Sequence, residues 1–224
     1  MVEYRELKEI INSLPKTLEA LSSPDPKERK EAWEKVKVLV DTGNTDVLMR
    51  HRGYLRSLLW HRLQGVRDEA WANLEVMREL GVEGVERTLT ADKDTIKWSA
   101  WSNFEKLLAL GYISFNDLRE KRNSYWRLLK SRWVTIRKKA WRLFVKLVEY
   151  KVFDKGDKER FKEFLAHRKP GIRIYAWEAV PTLLEKGFLE REEAEELLPY
   201  LRELTAKESS VKKRAMRVLR KLGQ

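Results

Sequence analysis

The sequence predicts an all-α protein, a right-handed solenoid of about six helical pairs in one domain that spans residues 1–224. An Ala followed by Trp or Met recurs six times at intervals of 30 to 40 residues, a period typical of stacked helical repeats. No Ser-rich or Gly-rich linker divides the chain, which favours a single domain. The recurring pairs are Ala32-Trp33, Ala70-Trp71, Ala100-Trp101, Ala140-Trp141, Ala176-Trp177 and Ala215-Met216.

Each Ala lies in what we interpret as the second helix of its repeat. An apolar residue precedes it by four positions in every repeat but the first, and a basic residue follows that apolar residue. If the apolar residue is position 0, then positions 0, 4, 8 and 11 lie within about 80° of one another on a helix and predict one buried face. Position 15 is Gly43, Gly81, Gly111 or Gly187 in four repeats, which suits the left-handed residue that ends a helix, and Lys151 replaces it in the fourth.

Amphipathic segments upstream of these helices predict the first helix of each pair. The clearest are residues 46–61, 115–132 and 158–168, in which Leu, Tyr, Trp and Phe recur at helical spacing. The sequence therefore predicts helical hairpins, and the repeats at the two ends act as caps.

The last repeat, EELLPYLRELTAKESSVKKRAMRVLRKLG at residues 195–223, resembles the HEAT repeat family, and the other repeats share its V-R-x-x-A-W core more loosely. The resemblance implies that the second helices line a concave surface, with positions 2, 6, 9 and 13 pointing outward. HEAT repeats usually carry a turn Asp that pairs with the basic residue at position 1. Here His61, Ala91, Ser131, His167 and Ala206 stand in its place, so the bonding between repeats must differ.

Composition limits the environment and the kind of chemistry. The chain has no Cys, so disulfides and thiolate metal sites are excluded, and no run of about 18 apolar residues predicts a membrane span. The N-terminal MVEYRELKEI lacks the pattern of a signal peptide, so we expect a cytoplasmic protein. Abundant Lys, Glu and Arg without Cys is typical of thermophilic proteins.

The formal net charge of +12 is the strongest indication of a partner, because basic proteins attract nucleic acid, anionic membranes or acidic proteins. The predicted outward positions are basic in the fourth and sixth repeats, but acidic or apolar in the second and fifth. The first outward position of the fifth repeat is Ile174. A uniformly positive groove is therefore not expected. The positive charge concentrates around the fourth repeat, and the candidate binding residues are Arg119, Lys121, Arg122, Arg127, Lys130, Arg132, Trp133, Arg137, Lys138, Lys139 and Arg142, together with Trp98.

The tryptophans have two interpretations. Those that recur after Ala either form exposed stacking platforms or fill the space between successive pairs, with the basic residue of position 1 over the indole, and their regular recurrence favours the second. Trp126 is expected in the core, whereas Trp133 lies in a turn beside Arg and Lys, where an indole can stack a base. Trp98 occupies an outward position of the third repeat.

No catalytic motif accompanies these features, and the three histidines lack the spacing of a metal site, so we expect neither a cofactor nor a metal. Length, charge and Trp content are also similar to HEAT-like alkylpurine DNA glycosylases, which implies a catalytic Asp. The candidates, Asp94 and Asp117, reproduce no recognisable motif of that family. We therefore predict a non-enzymatic scaffold that binds nucleic acid or a ribonucleoprotein, or alternatively an acidic protein or peptide in the concave groove.

Overall fold

The computed structural model of the protein describes residues 3–206 and 210–224. The regular structure in these residues is entirely helical, which confirms the all-α prediction. The chain divides into two compact units, Met1–Ser114 and Phe115–Gln224, so the prediction of a single domain stays a prediction. None of the helices in the described ranges combines the length and the apolar character that a membrane span requires.

The first unit contains nine α-helices and two 3-10 helices in its described part. The α-helices are α1 (Tyr4–Asn12), α2 (Leu14–Ala20), α3 (Pro26–Asp41), α4 (Asp46–Met49), α5 (Arg52–Ser57), α6 (Gln64–Ala72), α7 (Leu74–Glu79), α8 (Asp94–Ser102) and α9 (Phe104–Ala109). The 3-10 helices are Leu58–Trp60 and Val85–Thr90. Helix α6 packs against both α3 and α8, so the second helices of successive repeats are neighbours.

The second unit contains eight α-helices and two 3-10 helices in its described part. The α-helices are α10 (Phe115–Glu120), α11 (Trp126–Leu129), α12 (Val134–Glu149), α13 (Lys158–Leu165), α14 (Pro170–Glu185), α15 (Arg191–Glu196), α16 (Leu198–Thr205) and α17 (Ser210–Lys221). The 3-10 helices are Arg122–Ser124 and Lys155–Asp157. Helix α14 packs against α12 on one side and α17 on the other, and each of these three helices also packs against the first helix of its own pair.

The five tryptophans that follow Ala are buried, as the second interpretation of their recurrence predicted. In three repeats the indole N–H donates to the carbonyl twelve residues upstream, in or just after the first helix of the same pair. Trp101 donates to Leu89 at 3.0 Å, Trp141 to Leu129 at 2.9 Å and Trp177 to Leu165 at 2.9 Å. Each bond ties the second helix to the first, and the indole supplies much of the apolar packing between them.

In place of the missing turn aspartate, a backbone carbonyl of the turn accepts a hydrogen bond from the arginine at position 1. In four repeats its guanidinium donates to the carbonyl six residues upstream, in the turn between the two helices, at 2.7 to 2.8 Å. These arginines are Arg29, Arg67, Arg137 and Arg173. A charged donor on a part-buried carbonyl is a strong hydrogen bond, and it closes the turn.

Three of these arginines also reach the next repeat. Arg29 Nε lies 3.2 Å from Glu69 Oε1, and glycine at position 65 leaves the room through which the Arg29 side chain passes. Arg137 and Arg173 lie over the rings of Tyr175 and Tyr200, so the predicted stacking of these two cations on the tryptophan of their own repeat is wrong. Both guanidinium groups donate instead to the carbonyl of the turn before their helix, Ser131 for Arg137 and His167 for Arg173.

The second helices of the second and third repeats are interrupted, which the apolar pattern did not predict. Helix α6 ends at Ala72 and α8 ends at Ser102, and a single residue, Asn73 or Asn103, separates each from the helix that follows. Each Asn side chain donates to the carbonyl four residues upstream, Asn73 to Glu69 at 2.8 Å and Asn103 to Ser99 at 2.7 Å. An Asn amide that competes for the helical acceptor in this way disturbs the regular ladder.

The left-handed residues that end the helices are confirmed. Gly43, Gly81, Gly111 and Gly187 have φ between 71° and 78°, and Lys151 adopts a φ of 65° at the equivalent place in the fourth repeat. A side chain with a β-carbon is strained in this conformation, whereas glycine is not. The fourth repeat therefore ends its second helix at a cost that the glycine repeats avoid.

Replacing Lys151 by Gly should raise the free energy of unfolding by roughly 0.5–1 kcal/mol, because relief of left-handed strain exceeds the entropy that the unfolded chain gains. The matched control is Gly187→Ala, where no atom lies within 4 Å of an added β-carbon and only the φ of 72° opposes the change. We expect this control to lose about 1 kcal/mol. Urea unfolding measures both variants, and a destabilised Lys151→Gly would contradict the strain argument.

Replacing the buried Arg67 by Met should lower the free energy of unfolding by about 1.5–3 kcal/mol, because the His61 and Arg62 carbonyls would lose their charged donor. Arg62→Met is the control, since the Arg62 side chain is exposed and only its backbone takes part in the bond. We expect this control to change stability by less than about 0.5 kcal/mol. Equal losses in the two variants would show that the turn does not depend on the Arg67 guanidinium.

Candidate functional site

Most of the predicted binding cations lie on the surface of the second unit. Among the described residues, seven of them have no ion-pair partner, and each is exposed or half-exposed. They are Lys121, Arg127, Lys130, Arg132, Lys138, Lys139 and Arg142. We call Lys138, Lys139 and Arg142, which follow one another along α12, the basic face.

Two predicted site residues serve the fold instead. Arg119 pairs with Asp154, and Arg122 Nε lies 3.0 Å from Asp157 Oδ1. The two aspartates form a capping box around the 3-10 helix that follows α12, so the arginines tie this turn to α10 and the segment after it. These two guanidinium charges are already compensated, which removes Arg119 and Arg122 from the free positive charge of the predicted patch.

Arg137 also has a structural role, as its bond to the Ser131 carbonyl shows. The exposed tryptophan of the patch is Trp133, with 50% of its surface accessible, whereas Trp126 is buried as predicted. The Trp126 ring lies 4.8 Å from that of Phe153 and 5.9 Å from that of Phe164, measured between centroids. The remaining predicted residue, Trp98, is half-buried in α8 of the first unit.

The outward positions predicted from the repeat register agree with the structure in three repeats. Lys138 and Arg142 are exposed on α12, Lys213 and Arg217 are exposed on α17, and Glu75 is exposed on α7. In the fifth repeat the prediction is wrong for Ile174, which is fully buried. The register there leaves Ile174 beneath neighbouring helices because α14 has helices packed on both sides.

A groove runs along α14 between α12 and α17, with a cavity of about 510 Å³. Lys138 and Arg142 stand one helical turn apart on its α12 wall, and Arg214 stands on its α17 wall. The remaining lining residues give the groove a mixed surface of aromatic, aliphatic, hydroxyl and carboxylate groups, and they are Trp141, Val145, Tyr175, Glu178, Ala179 and Thr182.

The charges within the groove are partly paired. Arg214 Nε lies 3.1 Å from Glu178 Oε2, and this hydrogen bond raises the pKa of Arg214 above its ordinary value. Arg214 also covers the Tyr175 ring at 4.5 Å, while Arg137 approaches the same ring at 5.8 Å. Because two guanidinium groups already lie over the Tyr175 ring, little of its surface is available for a stacked ligand. Lys138 and Arg142 supply the unpaired charge of the groove.

A second basic surface lies where the turns of the fourth and fifth repeats meet. We define this turn edge as Lys130, Arg132, Trp133, Arg168 and Lys169, all of which are exposed. The Arg132 guanidinium lies 4.8 Å from the centroid of the Trp133 ring. The Arg137 guanidinium, which donates to the Ser131 carbonyl of the first turn, also lies 3.6 Å from the place of an added β-carbon on Gly171, just after the second turn, so the two turns are neighbours. None of the four cations has an ion-pair partner within the described ranges.

The histidines of two turns have a structural role. His61 Nδ1 accepts a hydrogen bond from the Leu63 N–H, and His167 Nδ1 accepts one from the Lys169 N–H, both at 3.1 Å. Burial lowers the pKa of both imidazoles below 6.5, and the neighbouring cations lower it further. Since an accepting Nδ1 carries no proton, these turns require the neutral imidazole. Ser131 Oγ accepts the equivalent bond in the fourth repeat, from the backbone N–H of Trp133 at 3.2 Å.

The aspartates considered for glycosylase chemistry lie in different units. Asp94 is half-buried at the start of α8, and Asp117 is exposed in α10. In residues 3–206 and 210–224, no three His, Asp or Glu side chains gather in a way that would hold a metal ion. Within the second unit, Asp117 is not among the residues that line the groove.

Several residues of these surfaces were not predicted from the sequence. Tyr175 and Arg214 both occupy position 3 of their repeats, which the helical wheel places between the buried stripe and the outward face. Arg168 and Lys169 lie outside the charge run of the fourth repeat, and the equivalence of their turn with residues 131–133 is the signal that could have found them.

Comparisons with known proteins do not identify a family. No family model matches the chain, and no curated protein matches it. Among solved structures, the crystal structure of an engineered protein from the Northeast Structural Genomics Consortium is similar, with 17% identity, 96% of each chain covered and a TM-score of 0.43. A similarity at this TM-score carries no argument about fold or function.

The free energy of unfolding should fall as the pH drops from 6.5 towards the lowered native pKa values of His61 and His167. In that window the unfolded chain binds protons that the native turns exclude, so acid favours unfolding. The stabilisation that the two neutral imidazoles contribute is fully present above pH 6.5. A variant that carries both His61→Ser and His167→Ser should lose this dependence, since Ser131 makes the same bond without titrating. Urea unfolding across the pH range measures it, and an unchanged slope in the variant would contradict the assignment.

Proposed function

We propose that the chain is a HEAT-like solenoid that acts as a non-enzymatic scaffold and binds nucleic acid, or the nucleic-acid surface of a ribonucleoprotein, mainly through phosphates. The helical pairs, the adjacent second helices within each unit and the repeated bond from arginine to the turn carbonyl support the repeat assignment. No specific observation favours the glycosylase alternative.

The unpaired cations of the second unit carry the proposal. Lys138, Lys139 and Arg142 follow one another on α12, and the turn edge continues the positive surface at the start of the same helix. Cations that are not neutralised within the protein attract phosphates, and the counterions that they release make binding strongly dependent on salt. The proposed contact is therefore with the phosphate backbone and not with a particular base sequence.

The groove supports the alternative, an acidic protein or peptide. Its wall offers Lys138 and Arg142 one helical turn apart above a floor of mixed polarity, and Glu178 on that floor would repel a phosphate backbone that lay along it. Carboxylates spaced on one helical face could pair with these two cations. A peptide would bury the floor of the groove, whereas phosphates need only its rim.

Reversing two charges with Lys138→Glu and Lys139→Glu should weaken the binding of a labelled duplex by at least about tenfold and flatten its dependence on salt, because fewer counterions are released. Fluorescence anisotropy titrations over a series of salt concentrations measure both quantities. The phosphate contact predicts the same loss for DNA and RNA of unrelated sequence.

The control carries Lys35→Glu and Lys37→Glu on α3, two exposed positions of the first unit, and makes the same change in net charge. We expect it to retain most of the affinity. Equal losses in the two variants would show that net charge alone drives binding. Absence of nucleic-acid binding by the wild type at physiological salt would overturn the proposal and leave the acidic partner.

A further inference from the structure

Trp133 stands at a position where the repeat does not need a tryptophan. It precedes the first residue of α12, and the equivalent residues before α3, α6, α8 and α14 are Asp25, Leu63, Lys93 and Lys169. All five have nearly the same extended backbone, with φ between −80° and −87° and ψ from 108° to 128°. Because lysine occupies this position in two other repeats, helical packing does not explain the tryptophan.

The Trp133 side chain is also the largest apolar group on this surface. Half of the Trp133 surface is accessible, and the adjacent Val134 is 57% exposed. The other apolar residues of α12 are mostly buried. The five repeated tryptophans show where this protein places indoles that serve packing. The exposed Trp133 indole has no such packing role, so its accessible face can contact a ligand.

The backbone under the indole is fixed. The Trp133 N–H donates to Ser131 Oγ at 3.2 Å, and the Ser131 carbonyl accepts from Arg137 at 2.8 Å, so the turn on both sides of Arg132 is held by hydrogen bonds. Ser131 itself is buried. The indole thus projects from a fixed turn, with the Arg132 guanidinium 4.8 Å from the ring centroid.

The unpaired cations of the turn edge lie on the turn that carries this indole and on the neighbouring turn. Lys130 and Arg132 lie on its own turn, and Arg168 and Lys169 lie on the facing turn of the fifth repeat. An aromatic ring beside cations that can hold a backbone is the combination with which proteins bind unpaired bases, since every base can stack and every nucleotide carries a phosphate. A base within a duplex has both faces covered by its neighbours and cannot stack on a side chain without leaving the helix.

We propose that Trp133 and the cations of the turn edge bind single-stranded nucleic acid, with the indole stacked on an unpaired base and the four cations on the flanking phosphates. This inference rests on the proposed nucleic-acid function and specifies its substrate as a single strand or an unpaired segment. A lipid surface fits less well, because one indole and one valine offer little apolar area to bury in a bilayer, whereas one base needs only one ring.

The test substitutes Trp133 by Lys, the residue that the third and fifth repeats carry at the same backbone position. This change adds a positive charge, so attraction to phosphates cannot fall, and only stacking is lost. Anisotropy titrations compare labelled oligothymidine with a duplex of the same length. We expect Trp133→Lys to weaken oligothymidine binding by about tenfold and to leave duplex binding unchanged or slightly tighter. Trp133→Phe should keep most of the affinity for the single strand.

Three results would overturn the inference in distinguishable ways. If Trp133→Lys binds oligothymidine as the wild type does, while Lys138→Glu with Lys139→Glu abolishes binding of both probes, the phosphate scaffold stands and the stacking is wrong. If the wild type binds neither probe, the proposed function fails as well. If it binds neither probe but binds phosphatidylserine vesicles through Trp133, the indole serves a lipid surface. Urea unfolding of Trp133→Lys, expected to match the wild type, excludes loss of the fold as the cause.

Discussion

The hydrogen bond from the first-turn arginine of a second helix to the turn carbonyl six residues upstream is the contact on which the repeat depends. It appears at Arg29, Arg67, Arg137 and Arg173, in both compact units. The bond closes the turn between the two helices and fixes where the second helix begins. In three of the four repeats the same guanidinium also contacts the next repeat, so one side chain stabilises both the hairpin and its neighbour. With a turn aspartate as the acceptor, these contacts would need two side chains.

This use of arginine changes the meaning of the high net charge. Arginines held on carbonyls and those paired with Asp154 or Asp157 are part of the fold, and their charge is not available to a partner. Fewer cations are therefore available at the surface than the total of 47 Lys and Arg side chains suggests. In the second unit, α12 and the two turns beside its start carry Lys and Arg side chains that are exposed and have no ion-pair partner among the described residues.

The repeats act as internal controls for one another. Lys151 shows that the end of the second helix tolerates a side chain in the left-handed conformation, and Ser131 shows that the histidine of the turn can be replaced by another acceptor. Lys93 and Lys169 show likewise that the residue before the second helix need not be aromatic. Substitutions taken from an equivalent position therefore test function with little risk to the fold.

The sequence by itself determined the helical class, the burial of the five repeated tryptophans, the left-handed helix ends and the exposure of Lys138 and Arg142, because each follows from spacing along a single helix. The tertiary structure decided which cations are free. Arg119 and Lys121 look alike in the sequence, but Arg119 meets Asp154 thirty-five residues away and Lys121 meets no carboxylate within the described residues. It also decided the burial of Ile174 and the neighbouring positions of the two basic turns. These depend on contacts between helices distant in sequence, which helical periodicity does not encode.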